Sequence, residues 1–307
     1  MRGKKRSHWF WRLLKVTLLL VLIAALLVGA LAVYLQPACT REEGVVYGRR
    51  GSVDLTLDVV TPTAPNGRGI LMLMSGSWKS KKGSFKRFLA APLLRQGFTV
   101  FAVYHVSQPE VTIMQIVEDM HRAVRFVRTQ AEAYGVDPDH LGVTGASSGG
   151  HLSLMLATGA GVGPLDPLDA VDQASSAVQA VGIFFPVTDL LNLGTSTENP
   201  GDGGPPIHYV KGFGPEAQDA EAWQRIGREV SPIYHVTADL PPVRVVHGDA
   251  DTLTPLEQSL WFQNRCQAVG RSIELIVQPG KKHGWLTMIW DIRSMAAWFS
   301  TTLGAAG

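Results

Sequence analysis

Ser147, Asp251 and His283 follow one another along the chain, each in a turn rich in glycine and polar residues. Their types could do one piece of chemistry together. A serine hydroxyl is a poor nucleophile at neutral pH and needs an imidazole to take its proton, and the imidazole needs a carboxylate to fix its tautomer. Ser147 lies in Gly145-Ala146-Ser147-Ser148-Gly149, between a short apolar run at 141–144 and an apolar stretch at 152–158. That is the sequence form of a sharp strand-to-helix turn which lifts one hydroxyl above a sheet edge. The glycine spacing selects Ser147 over Ser148, because Gly145 and Gly149 stand two residues to either side of it.

The elements that position the other two residues have the same form. An apolar run at 243–246 ends in His247-Gly248-Asp249-Ala250-Asp251-Thr252-Leu253-Thr254-Pro255, with two acids as candidates, Asp249 and Asp251. A further apolar run at 273–277 ends in Pro279-Gly280-Lys281-Lys282-His283-Gly284-Trp285. The order serine, acid, histidine, each after a strand, is that of an α/β-hydrolase triad.

From about Gly44 onward the chain resembles the α/β-hydrolase superfamily, in particular esterases and lipases of the hormone-sensitive-lipase and bifunctional feruloyl/acetyl-xylan esterase type. The resemblance rests on residues 119–125, 134–138, 145–152, 185–189, 231–232, 240–242, 247–255 and His283-Gly284. It implies Ser147 as nucleophile, His283 as base and Asp251 as acid, three residues before Thr254-Pro255; Asp249 is then a turn residue. It also implies an oxyanion hole made by a His-Gly-Gly-Gly-Trp run, where this chain has Met74-Ser75-Gly76-Ser77-Trp78. Backbone donors do not depend on side chains, so the expected donors are the N–H groups of Gly76, Ser77 and Ser148. The family's Tyr-Arg pair after the fourth strand appears as Tyr104-His105, which removes an expected structural cation. Trp78 and Trp285 flank the site and are expected to bind an acyl or aromatic group or to cover the triad from water. His247 and His151 read as packing or supporting positions and His121 as a helix residue, whereas His105, His208 and His235 are loop candidates for a pocket wall.

The pattern of apolar runs predicts an α/β architecture, a mostly parallel central sheet flanked by helices. Val53, Leu55, Leu57 and Val59 alternate with polar residues, as expected of an antiparallel edge strand with one wet face. Residues 70–74, 99–104, 141–144, 181–185, 243–246 and 273–277 read as parallel strands. In a helix predicted over 111–134, Ile113, Ile116, Val117, Met120, Ala123, Val124 and Val127 form one stripe that Gly135 ends. A last helix is predicted over 286–303. Residues 190–230, rich in Gly, Pro, Asn and Asp, read as a short lid or substrate-facing loop, with a plain surface excursion as the alternative.

The N-terminus reads differently. Residues 1–15 carry Arg2, Lys4, Lys5, Arg6, Arg12 and Lys15 and no acid, and residues 16–35 carry no charge. At about 1.5 Å per residue this stretch spans roughly 30 Å, the thickness of a bilayer hydrocarbon core. Trp9, Trp11 and Tyr34 sit where interfacial aromatics belong, and the basic flank places residues 1–15 in the cytoplasm with the catalytic domain outside it. An uncleaved anchor is the first reading. A signal cleaved near Ala30-Leu31-Ala32 and a lipoprotein at Cys39 are the alternatives. The expected organisation is a basic segment 1–15, a membrane helix 16–35, a linker 36–43 and a hydrolase domain 44–307.

Without the six basic residues of the N-terminal segment, 22 basic residues face 26 acids, so no basic surplus points to nucleic acid. Two cysteines make no disulfide framework, though a Cys39–Cys266 bridge is open outside the cytoplasm. No metal-ligand cluster, cofactor motif or internal repeat is visible. The expected function is a membrane-anchored serine hydrolase acting on a carboxylic ester, with the resemblance pointing to an acetyl or feruloyl group on a polysaccharide. The alternatives are a serine peptidase of prolyl-oligopeptidase type, for whose propeller there is no room, and a catalytically weak binding module.

Overall fold

A computed structural model of the chain describes residues 3–161, 163 and 169–304. Eight strands form one sheet: β1 (Cys39–Arg50), β2 (Val53–Pro62), β3 (Gly69–Leu73), β4 (Thr99–Val103), β5 (Leu141–Ala146), β6 (Ala180–Phe184), β7 (Val243–Gly248) and β8 (Glu274–Gln278). Their order is β1-β2-β4-β3-β5-β6-β7-β8, with β1–β2 and β2–β4 antiparallel and the rest parallel. Among the described residues seven α-helices accompany them: α1 (Gly3–Leu35), α2 (Arg87–Arg95), α3 (Ile113–Thr129), α4 (Ser148–Thr158), α5 (Ala220–Glu229), α6 (Glu257–Ala268) and α7 (Met288–Thr302).

The central strands are apolar throughout because both faces are covered. One apolar cluster joins β-strand residues to α3 and α4, including Leu71, Val143, Ile116, Met120, Val124 and Leu156. The other joins the opposite face to α2 and α7 through Ile70, Val100, Leu93, Met295 and Phe299. Close approach of α7 is allowed by glycine: a Cβ on Gly182 would lie 2.4 Å from Met295 Sδ and 2.7 Å from the Phe299 ring. The predicted helix over 111–134 is α3 followed by a short 3₁₀ turn, Glu132–Tyr134, and Gly135 ends it at φ +62°. Its start is fixed by Thr112, whose hydroxyl accepts from Gln115 N–H while the Gln115 side chain accepts from Thr112 N–H.

Two expectations are corrected. The linker over 36–43 is mostly strand, because β1 begins at Cys39 and pairs with β2 from Cys39↔Pro62 to Arg50↔Val53. β2 is therefore not an edge strand, and the whole run from Leu55 to Val60 is buried rather than alternating. Asp58 within it is 2% exposed and is held by Tyr104 Oη at 2.6 Å, Arg41 at 2.7 Å and Gly44 N–H at 2.9 Å. The cation beside Tyr104 thus comes from β1. Cys39 and Cys266 are both free thiols, Cys266 fully buried in α6, so the open disulfide does not form.

Residues Trp9–Leu35 of α1 are long and apolar enough to cross a membrane, and contain an 18-residue window of mean hydropathy 3.0 with no residue buried against the rest of the chain. Only the end of α1 is docked. Arg95 of α2 donates to the carbonyls of Val33 and Tyr34, closing the last turn of α1 as a cation at a helix C-terminus should. Tyr34 also meets Trp290 of α7 at 6.4 Å between ring centroids. Three residues, Gln36-Pro37-Ala38, then lead into β1. Of the basic segment 1–15, residues 1 and 2 lie outside the described residues, as do 162, 164–168 and 305–307 of the larger domain.

Candidate active site

Ser147 sits at the turn between β5 and α4 with φ +55° and ψ −121°, a conformation that L residues rarely adopt. The turn holds because its flanks are glycine. A Cβ on Gly145 would lie 2.4 Å from the Gly149 carbonyl, and one on Gly149 would lie 2.8 Å from Leu73 O. Ser147 N–H donates to Phe184 O at 3.0 Å, which ties the turn to β6.

The loops after β7 and β8 bring the other two residues to the hydroxyl. His283 Nε2 is 2.9 Å from Ser147 Oγ, and its Nδ1 is 2.7 Å from Asp251 Oδ2. Asp251 is 4% exposed, and its Oδ1 accepts from the N–H groups of Leu253 and Thr254 at 3.0 Å each. Burial alone would raise its pKa. The His247 and His283 rings beside it, with the Thr254 N–H, outweigh that and hold the carboxyl well below the usual carboxylate range. Asp249 accepts from Gly280 N–H and closes the two loops on each other, so it takes no part in this chain of contacts. An ionised Asp251 fixes the proton of His283 on Nδ1, which leaves Nε2 free to accept from the serine hydroxyl.

Above Ser147 opens a cleft lined by Ser77, Trp78, Ser148, Leu190, Tyr209 and Thr254, among others. Residues 190–230 therefore form part of its wall, and they carry α5 and two 3₁₀ turns as well as loop. Tyr209 and Phe213 from this segment pack edge-on against Trp78 at 5.5 and 6.0 Å, and Tyr209 Oη lies 3.1 Å from Ser77 Oγ. Ser77 and Trp78 have φ of +54° and +53°, so the oxyanion run reaches the left-handed conformation without its glycines. Gly76 departs from expectation: its N–H donates to Lys79 O at 3.0 Å in a tight turn and is already used. The N–H groups of Ser77 and Ser148 have no partner among the described residues. Those two remain as candidate donors beside Ser147.

Trp78 is buried and lines the cleft, but its indole N–H donates to His151 Nδ1 at 3.0 Å, and His151 Nε2 donates to Val230 O at 2.7 Å. Trp285 is placed differently from expectation. Its N–H donates to Asp291 at 2.8 Å and its ring meets Phe185 at 5.8 Å, away from the cleft wall. The residue that covers the imidazole is Phe185, with 4.6 Å between its ring centroid and that of His283. His247 donates from Nε2 to Thr254 O at 2.7 Å, accepts at Nδ1 from Ser259 Oγ at 2.7 Å, and stands 3.7 Å from Asp251 Oδ2. Sequence reading missed the part played by Phe185, though it lay inside a matched motif, and placed His247 only as a supporting residue. Of the three loop histidines, none lines the cleft: His208 holds the cleft residue Glu198 at 2.9 Å, His235 is tied to Glu229 O, and His105 lines a separate hollow beside β2.

A mostly parallel sheet with a strained serine turn at its centre and acid and histidine loops after the next two strands on one side defines an α/β-hydrolase. The chain belongs to the BD-FAE family, whose model matches residues 57–266. It is 29% identical over 235 residues to the probable carboxylic ester hydrolase LipM of Mycobacterium tuberculosis, covering 73% of this chain and 51% of that protein. It is 27% identical over 258 residues to esterase LipQ of the same organism, covering 81% of this chain and 58% of that protein. The chain thus spans little more than half the length of these curated relatives. Among solved structures, a truncated carbohydrate esterase from gut microbiota superposes with a TM-score of 0.71 at 26% identity, covering 87% of this chain and 99% of that one.

Proposed function

We propose that the chain is a serine carboxylesterase held at a membrane by α1. Ser147 Oγ attacks the ester carbonyl as its proton passes to His283 Nε2, and the tetrahedral oxyanion lies on the N–H groups of Ser77 and Ser148. The imidazolium, balanced by Asp251, then protonates the departing alcohol. Water, deprotonated by the same ring, releases the acid from Ser147. The observation that carries this reading is the unbroken relay from Asp251 Oδ2 to His283 (2.7 Å) to Ser147 Oγ (2.9 Å) at the floor of an open cleft. The printed names of LipM and LipQ as ester hydrolases support the reaction class.

In the same reading, residues 1–15 are cytoplasmic, residues 16–35 span the bilayer, and the hydrolase domain, beginning at β1, lies on the other side. The test is hydrolysis of p-nitrophenyl acetate by the full chain in detergent beside Ser147→Ala. The expected loss is about a thousandfold or more, together with loss of labelling by a fluorophosphonate. Turnover that survives the substitution overturns the proposal.

A further inference from the structure

A further cavity lies on the face of the sheet opposite the Ser147 cleft. It is lined by Met72, Met74, Leu89, Leu93, Met288, Ile292 and Met295, and extends to Ser75, Gly145 and Ala146 at the ends of β3 and β5. Its volume of about 220 Å³ exceeds the roughly 150 Å³ at which a dry apolar cavity already takes up benzene. Nothing in the proposed reaction uses it. Its walls are the sheet, α2 and α7, and methionine supplies four of its lining residues; these unbranched, polarisable side chains adapt to an irregular guest.

Two placements say what that guest is. First, the cavity ends beside the reacting group. Gly145 and Ala146 immediately precede Ser147, and the hydroxyl of Ser75 in the cavity wall lies 3.1 Å from that of Ser148 in the cleft wall, so the two spaces approach each other at these serines. Second, the helices that wall it are those on which the membrane helix ends: α1 is fastened to α2 by Arg95 and touches α7 at Trp290. Exposed Phe88 on α2 and Leu286 and Trp290 at the start of α7 add apolar surface there. Exposed Lys86 and Arg87 stand at the start of α2, and basic side chains on a surface that faces a bilayer suit anionic lipid headgroups.

We infer that this cavity is an acyl-chain site, and that the esterase takes esters of long alkyl acids from the bilayer that α1 enters. The inference rests on the proposed serine mechanism. The chain would stay in the cavity while its carbonyl carbon bonds to Ser147 Oγ and the alcohol leaves through the cleft. Each methylene moved from water into such a site is worth about a fourfold gain.

The test uses the full chain in vesicles of phosphatidylcholine and phosphatidylglycerol, with p-nitrophenyl acetate and octanoate. The expected octanoate-to-acetate ratio of kcat/KM is at least ten. Ile292→Trp on α7 and Leu93→Trp on α2 fill the cavity from opposite sides, and each should lower that ratio tenfold or more. A wild-type ratio of one or less, or a ratio that neither substitution moves, overturns the inference. A measurement on the unaltered chain stands beside the variants: a long-chain fluorophosphonate bearing a terminal diazirine should cross-link to Leu93, Met288 or Ile292. Cross-links confined to cleft residues such as Leu190 or Pro206 overturn it. Acetate turnover that survives Ser147→Ala marks the different failure, that of the serine mechanism beneath it.

Discussion

Asp251 does two things with one carboxylate: Oδ2 meets the imidazole of His283 and Oδ1 caps the loop that follows it. Asp251→Asn keeps the shape but can leave the proton of His283 on the wrong nitrogen. Turnover of p-nitrophenyl acetate should fall about a thousandfold or more with little change in KM. Trp78 acts at one remove. Its bond to His151, and through it to Val230 O, holds a run whose Ser77 N–H points at no other partner. Trp78→Phe keeps the ring but drops the donor, so kcat should fall by about tenfold while labelling at Ser147 persists; an unchanged kcat would mean that the left-handed run holds itself. His151 tells how little room there is for error here. Burial pushes its pKa down to about 4, so it is a neutral ring whose two nitrogens have one donor and one acceptor role each.

At the scale of elements the serine turn is the most constrained feature. Gly145→Ala sets a methyl group 2.4 Å from a backbone carbonyl that cannot move without shifting α4. The expected result is a chain that fails to accumulate folded, or one with esterase activity reduced at least a hundredfold; assays of yield and of turnover read the two apart. β1 makes a second case. Asp58→Ala leaves the Arg41 guanidinium with only the exposed Glu43 and Tyr104 without its acceptor, at a cost of about 3 kcal/mol in urea unfolding. β1 also marks where sequence patterning ended. The parallel strands announce themselves because both faces are apolar, and the serine, acid and histidine loops because glycine and proline punctuate them. β1 reads Cys-Thr-Arg-Glu-Glu-Gly-Val-Val-Tyr-Gly-Arg-Arg, polar and bulged, and only its partner β2 makes it a strand. In turn, β2 alternates in sequence yet is buried on both faces, since the polar side chain of Asp58 is neutralised from a neighbour that no local pattern reveals. The Gly76 turn and the placement of Trp285 are closed locally, by Lys79 and Asp291, but nothing in those residue types announces either bond.

Over the whole molecule, buried imidazoles set the response to acid. Burial lowers the pKa of His105 and His151 to about 4, whereas an unfolded imidazole protonates near 6.5. Below about 6.5 the unfolded chain therefore binds protons that the native chain refuses. Stability should fall with pH from there until the native rings titrate near 4, by about 1.4 kcal/mol per unit for each ring. Thermal melts at pH 7, 6 and 5 should show a progressive drop, and His105→Gln should flatten it; a melting temperature constant over that range would contradict the assignment. Asp251 adds to the same trend at lower pH. Its depressed pKa adds stability that is full above the ordinary carboxylate value and fades only in stronger acid.

Three residues separate the end of α1 from β1, and Arg95 and Trp290 hold that end against the body. With α1 spanning a bilayer, as proposed above, a catalyst mounted so closely on it would work in two dimensions. Its encounter rate with a bilayer ester would follow the mole fraction of that ester in the membrane and not its amount per litre. Adding inert phospholipid at constant ester would then slow the reaction by surface dilution, as adding water slows a reaction in solution. For a freely water-soluble ester the same addition would change nothing.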